Sequence, residues 1–451
     1  MKKIISLNLV MALSDSLFAG CNETDTPATE TTNEDNATEG TTNDTGETDV
    51  EETADPVEVV FAFAGGDPLI KQLTSERVQK FNSEQSQFII KEQPSGSGTY
   101  LDFLKTQDAI GEFPDFLDSR DTQVWVDADK FAELPESVIP LVKNIPEYNG
   151  KKYALPISTN LPSVGMYYNK DIFDELGLEE PKTWAEFEAL CDEISAAGIA
   201  PIVQGGKDIW HMGFLWSQFW IEKVFADNPN WIADKRAGTV SFTDANVQEM
   251  ITKYASMYED GYFEKGWLST ADNQIVSFMM AEKAAMFFSG SWMITQVSEA
   301  DPEFNLGWFP LPDEDGDLNL VYGDTLAGFA LSKEASQDPG KVAAFEAFMN
   351  FWYEDENYVP YVETIVAAPS SASDPDVVYE SELPNEFATA LEEAEVTDLF
   401  WNNKWGDNML PGGFRNFAYK AFQEMVGTGS SAMELGELLD KQWDVEISQT
   451  E

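Results

Sequence analysis

The stretch from Lys151 to Phe187 reads KKYALPISTNLPSVGMYYNKDIFDELGLEEPKTWAEF. Pro156 and Pro162 bracket an apolar, hydroxyl-bearing run without helical period, so Tyr153 to Tyr168 is expected to be extended. KDIFDELG forms one or two amphipathic turns closing at Gly177, where a glycine can adopt the left-handed cap conformation. Pro181 acts as a stop. Thr183, with Glu186 three residues on, has the capping-box spacing that starts a second helix. An extended segment that leaves one body and enters another, followed by short capped helices, is what a hinge between two lobes needs.

The rest of the chain has to supply those lobes. At 451 residues it is too long for one compact core, and two domains are expected. Hydrophobic residues make up 43% and there are 13 tryptophans, ample for globular cores. Aromatic faces also suit sugar rings, though most such side chains serve as core. The net charge is −54. Asn22 to Pro56 holds 12 acidic and no basic residues; setting it and residues 1–21 aside leaves 68 acids against 25 bases, a net of −43. The folded part is itself acidic, which argues against nucleic acid or anionic lipid as a direct partner. Exposure to high salt or high pH, or solubility alone, would account for it.

Lys2 and Lys3, the apolar IISLNLVMAL and a closing LFAGC make residues 1–20 a secretion signal, too short for a stable span. Residues 22–56 are Thr, Glu, Asp, Asn and Gly with almost no apolar side chain, and are expected to form a disordered, self-repelling tether. Cys191 occupies an apolar position of the helical run WAEFEALCDEISAAG and reads as a buried thiol. One histidine and two distant cysteines cannot supply a tetrahedral zinc site, so no metal is expected.

Val57 to Gly66 reads as a buried strand ending in a Gly-Gly loop, followed by a helix through Phe81. QFIIKEQ is a second strand, Ser95 to Gly98 a loop, TYLDFLKTQDAI a helix, and FPDFLDSRD a third strand edge. Strand, helix, strand, helix, strand is a parallel α/β pattern, in which ligands sit outside the carboxyl ends of the strands. That places Gly65, Gly66, Asp67, Asp118, Arg120 and Asp121 at a cleft rim. Helices are expected near Asn246 to Tyr258 and Asn273 to Met280, then the strand AAMFFSG, a helix start at SWMITQV, and a glycine-bearing strand in Val321 to Ala335. KVAAFEAFMNFWYEDE is a helix, TIVAAPSSAS a further crossing, and helices to Trp443 close the chain.

YALP, YYNKDIF, GL and PKTWAEF resemble the first crossover of the extracellular solute-binding proteins of family 1, the maltose-binding-protein-like lipoproteins that feed ABC sugar importers. AEKAAMFFSGSWMI, FPLP and the C-terminal amphipathic helix extend the resemblance from about Val57 to the C-terminus. It implies a two-lobed α/β clamp, the type II periplasmic-binding-protein fold with about three interlobe crossings. The lobes would be residues 57–158 with 321–365, and 159–320 with 366–451. LFAGC resembles a lipobox, in which Cys21 is lipidated and becomes the mature N-terminus. Phe18 stands where that motif carries leucine and Asp15 interrupts the apolar run, so plain secretion is the alternative.

Several constellations bear on function. GGDP lacks the spacing and the lysine of a nucleotide loop, so Gly65-Gly66 is read as backbone approaching a sugar hydroxyl or as an ordinary turn. QGGKDIWHMGF gathers Trp210, a candidate sugar platform, and His211, a hydrogen-bonding pocket or helix-start residue. Without a GxSxG elbow or a paired cysteine, His211 carries no catalytic triad. The resemblance assigns stacking to Trp292, hydroxyl binding to Asp324, and cleft contacts to Trp401, Asn403 and Trp405; Asn160 lies in the first crossing. Arg120 either meets a substrate carboxylate or phosphate or is held by Asp118 or Asp121.

No carboxylate pair stands out for glycoside hydrolysis. The function that the resemblance implies is non-enzymatic capture of a mono- or oligosaccharide outside the cell by a monomer that needs no cofactor. It would deliver the sugar to ABC permease subunits and meet the membrane only through its lipid. An extracellular glycoside hydrolase, or a surface sensor or adhesin using the same clamp, are the rival readings.

Overall fold

The computed structural model describes residues 55–96, 99–159, 161–323 and 326–450. The expectations for residues 1–20, for Cys21 and almost all of its tether, for Ser97 and Gly98, and for Asn160 and Asp324 lie outside the described residues.

The chain opens with β1 (Val57–Phe63), α1 (Pro68–Glu84), β2 (Phe88–Pro94), α2 (Tyr100–Ile110), β3 (Phe116–Ser119) and α3 (Thr122–Asp127). β1 is parallel to both β2 and β3, each connection crossing over through a helix. Phe61 and Phe116 stack at 4.6 Å on the face that α11 (below) covers.

The chain then crosses. Leu155 exchanges backbone hydrogen bonds with Phe329, and Thr159 with Ala368, so three passages of chain run side by side between the lobes. Gly328, with φ of 151°, belongs to the second passage; a Cβ there would lie 2.0 Å from the Leu155 carbonyl oxygen.

β4 (Gly165–Asn169) enters the second lobe, followed by α4 (Lys170–Leu176) and α5 (Trp184–Ala196). Both helix boundaries follow the local code. Gly177 caps α4 with φ of 70°, and the Thr183 hydroxyl accepts the Glu186 N–H. The Glu186 carboxylate accepts the Lys182 N–H, one residue before the N-cap that a reciprocal capping box would use. β5 (Ala200–Ile202), α6 (Met212–Trp220), α7 (Trp231–Arg236), α8 (Ala245–Glu259), α9 (Ile275–Met280), β6 (Ala284–Ser289), α10 (Trp292–Ala300) and β7 (Leu306–Phe309) continue the lobe. Its main sheet has the order β5-β6-β4-β7. The short β8 (Asn319–Val321) precedes the second crossing.

β9 (Gly328–Leu331) joins the first sheet antiparallel to β3, giving the order β2-β1-β3-β9. α11 (Pro339–Trp352) and α12 (Asp355–Thr364) pack on it. After the third crossing come α13 (Leu383–Glu393), β10 (Val396–Asp398), α14 (Phe414–Thr428) and α15 (Ala432–Thr450); β10 pairs with β8. The last helix runs beyond Trp443, where the sequence placed its end: Trp443 anchors it in the core, and Ile447 one turn later still packs against that core.

Each lobe has its own core. One gathers Phe61, Phe116, Phe329, Phe345, Phe348 and Trp352; the other gathers Trp216, Phe219, Trp220, Trp231, Tyr254 and Trp443. Cys191 is fully buried in the second. Two α/β bodies joined by three adjacent passages make a type II clamp.

Candidate carbohydrate cleft

Asp67 caps α1. Its Oδ1 accepts the N–H groups of Leu69 and Ile70, at 2.8 and 3.1 Å. Its Oδ2 accepts Gln296 Nε2 of the other lobe at 3.3 Å. Burial raises the Asp67 carboxyl above the ordinary carboxylate range; those backbone donors oppose the shift and nearby Asp272 adds to it. Gly65 packs where a Cβ would lie 2.4 Å from the Ser95 carbonyl oxygen, and its N–H donates to Ser95 Oγ at 3.0 Å. It is the steric need of this turn. Gly66 beside it has open space on its Cβ side.

β3 delivers Asp118 and Arg120. Arg120 donates from Nε and one terminal nitrogen to a single oxygen of buried Asp118, at 2.9 and 2.7 Å. Burial raises the Asp118 carboxyl despite Arg120, whereas Asp118 holds the Arg120 guanidinium charged well beyond its ordinary range. Half of the Arg120 side chain still reaches solvent. The buried Tyr100 hydroxyl, raised well above its usual range by desolvation, feels the charges of Asp118, Arg120 and Asp121.

The second lobe answers with aromatics. Trp210, 37% exposed, meets Phe214 edge-on at 5.6 Å, and Phe214 lies 5.6 Å from Trp292 and 5.7 Å from Phe400. His211 is buried beside them, its Nε2 3.4 Å from Asp272 Oδ1.

Nearer α3, the lobes touch directly. The Gly406 N–H donates to Gln123 Oε1 at 2.6 Å, and Arg415 pairs with Asp121 at 3.3 Å. Arg120, Asp121, Gln123, Asn403 and Arg415 line an interlobe cavity of about 50 Å³. That is room for a few waters and too little for a sugar ring.

The structure thus brings Gly65, Asp67, Asp118, Arg120, Trp210, His211, Trp292 and Asn403 to facing sides of one interlobe region. Trp401 is the correction. Its indole is fully buried among Trp216, Trp220, Phe414 and Tyr419, because the turn carrying it plugs the core of the second lobe. Trp405 is half-buried. Sequence reading missed Phe214, Asp272, Gln296, Gln123 and Arg415. Phe214 carried a usable signal, lying four residues after Trp210 at helical spacing; the other four belong to no motif or periodicity that sets them apart from their neighbours.

The sequence profile of the bacterial extracellular solute-binding proteins matches residues 76–385. The chain belongs to that family. Membership places this solute-binding protein outside the cytoplasm, in an extracellular or periplasmic setting. It is 28% identical over 231 residues to the multiple sugar-binding protein of Streptococcus mutans, covering 49% of this chain and 54% of that relative. To a probable sugar-binding periplasmic protein of Mesorhizobium japonicum it is 30% identical over 242 residues, 51% of each chain. The chain spans about half the length of the curated relatives it matches. Among solved structures, a chitin oligosaccharide binding protein superposes with a TM-score of 0.75 at 21% identity, over 87% of this chain and 99% of that one. A Bacillus licheniformis sugar transporter in complex with stachyose gives 0.71 at 19%, over 86% and 100%. At these identities the likeness is one of fold.

Proposed function

We propose that this solute-binding protein captures a mono- or oligosaccharide outside the cell and hands it to the permease subunits of an ABC importer. The observation that carries the reading is the Trp210–Phe214–Trp292 group, which faces the Asp67, Asp118 and Arg120 rim of the other lobe. Indole faces match the apolar faces of pyranose rings, while carboxylates and a guanidinium fix hydroxyls at the edges. The relatives named as sugar-binding proteins support the same assignment. Trp210, Trp292 and His211 from one lobe, and Gly66, Asp118, Arg120 and Asn403 around it, are the contacts we assign; Asn160 and Asp324 in the crossings complete them. The lobes part to admit the sugar and close by hinge motion around it. In this reading the protein acts as a monomer without catalysis, and a lipid on Cys21 with the acidic segment behind it tethers the clamp to the membrane.

The test is a thermal-shift screen with raffinose, stachyose, mannobiose, a chitin oligosaccharide and digalacturonate. A sugar at 100 times its dissociation constant stabilises the native state by about 2.7 kcal/mol. A rise in Tm with one sugar class, and no release of reducing ends, is the expected result. A flat screen removes the carbohydrate assignment, and liberated reducing ends would replace it with hydrolysis.

A further inference from the structure

Asp272 opens the short turn Asp272–Gln274 ahead of α9, and His211 ends the turn Ile209–His211 ahead of α6. They are 3% and 2% exposed. His211 Nε2 stands 3.4 Å from Asp272 Oδ1, but neither carboxylate oxygen and neither imidazole nitrogen has a hydrogen-bond partner of good geometry among the described residues. Other buried carboxylates here are served. Asp118 has Arg120, Glu222 has Lys253 and Lys223, and Glu264 has the Thr270 hydroxyl and the Gly266 N–H. A buried carboxylate without donors is costly, and such a cost persists where a ligand supplies the donors.

Asp272 is also fixed in place. Its N–H donates to Asp208 Oδ2 at 2.8 Å, and a Cβ at Gly205 would lie 2.9 Å from its Cα. It sits at the base of the aromatic group, since His211 beside it meets Trp210 at 5.4 Å and Phe214 at 5.1 Å. Across the cleft Asp67 feels its charge.

We infer that Asp272, with His211, forms the polar end of the ligand subsite, accepts adjacent hydroxyls of a neutral sugar, and selects against acidic ones. A carboxylate only accepts, and its two oxygens match two neighbouring hydroxyl donors. The guanidiniums of the cleft are already committed, Arg120 to Asp118 and Arg415 to Asp121. An acidic sugar would bring its charge against Asp272 and Asp67, and the guanidiniums nearest to it are each already paired with a carboxylate.

This inference rests on the carbohydrate reading, and the experiment separates the two. Parent and Asp272→Asn are titrated calorimetrically with the same five sugars, and Tm is recorded without sugar. The parent should bind at least one neutral sugar a hundredfold more tightly than digalacturonate. Asp272→Asn should lose at least tenfold in affinity for that sugar, while its sugar-free Tm holds or rises because an unserved buried charge is gone. If the parent binds none of the five, the carbohydrate reading falls and this one with it. If the parent binds a neutral sugar and Asp272→Asn binds it within twofold, only the present inference is overturned. A loss of affinity together with a lower sugar-free Tm also overturns it, for that is the signature of a structural pair. Should the variant not fold, the parent alone decides, and digalacturonate binding as tightly as the neutral sugars is the overturning result.

Discussion

At Trp401 the nearest rings are those of Trp220 and Trp216, with centroids 5.0 and 5.4 Å away; at Trp210 more than a third of the residue meets solvent. Removing each should therefore read out differently. Trp401→Ala is expected to cost about 3–5 kcal/mol of stability through the cavity it leaves. Trp210→Ala should change stability by about 0.5 kcal/mol or less. It should instead weaken sugar binding by about 1.5–3 kcal/mol, roughly tenfold to a hundredfold. Chemical denaturation and calorimetry on the two variants check both halves; equal losses of stability would refute the distinction. Nothing in the sequence separates these tryptophans. Both stand beside polar residues in non-periodic chain, and only the docking of the turn that carries Trp401 onto α6 and α14 buries one of them. Asp272 was invisible for the opposite reason: it is one of many acids, and its burial is decided by the distant turn holding His211.

Elements whose limits are set by adjacent residues were legible. The end of α4 at Gly177, the start of α5 at Thr183 and the parallel β1–β3 unit all follow from local conformational preference and apolar runs. Cross-chain requirements were not. The Ile221–Phe225 stretch widens α6 into a π-helical turn that no spacing announced. Gly328 is a further case. The sequence showed a glycine in an extended run, while the structure shows that the first passage between the lobes leaves no space for a Cβ there. Gly328→Ala should destabilise by about 1–3 kcal/mol through overpacking, more if its backbone conformation resists the side chain. It should act on both lobes, so one cooperative transition shifted downward is expected by calorimetry. An unchanged Tm would show that the two passages can separate freely.

For the whole molecule, charge dominates. Burial raises the carboxyls of Asp67, Asp118, Glu222, Glu264 and Glu386. Each holds its proton more tightly folded than unfolded, so its contribution to stability declines as pH climbs from about 4 through the raised value. Glu314 does the reverse. Ion pairs with Lys223 and Lys253 outweigh its desolvation and bring it down to about 2, so its contribution is present above the ordinary carboxylate pKa and fades as pH falls toward that value. The large negative charge adds repulsion that grows on the alkaline side. Maximum stability is thus expected in mildly acid solution, with Tm lower at pH 8 than at pH 5. In 1 M salt, where screening acts within about 3 Å, the difference should shrink. A Tm that rises from pH 5 to pH 8 would contradict this account.

The concentration of indoles in the cores has an optical consequence. Trp216, Trp220, Trp231, Trp352, Trp401 and Trp443 are all sealed from water. Their emission should be blue-shifted and indifferent to acrylamide, forming a constant background. Trp210 is the indole a quencher reaches most readily. A bound ring covering it would register as lost quenching rather than as a large change in intensity. The molecule therefore carries its own occupancy gauge, read mainly in the collisional constant of Trp210, with the half-buried Trp267, Trp292 and Trp405 contributing less.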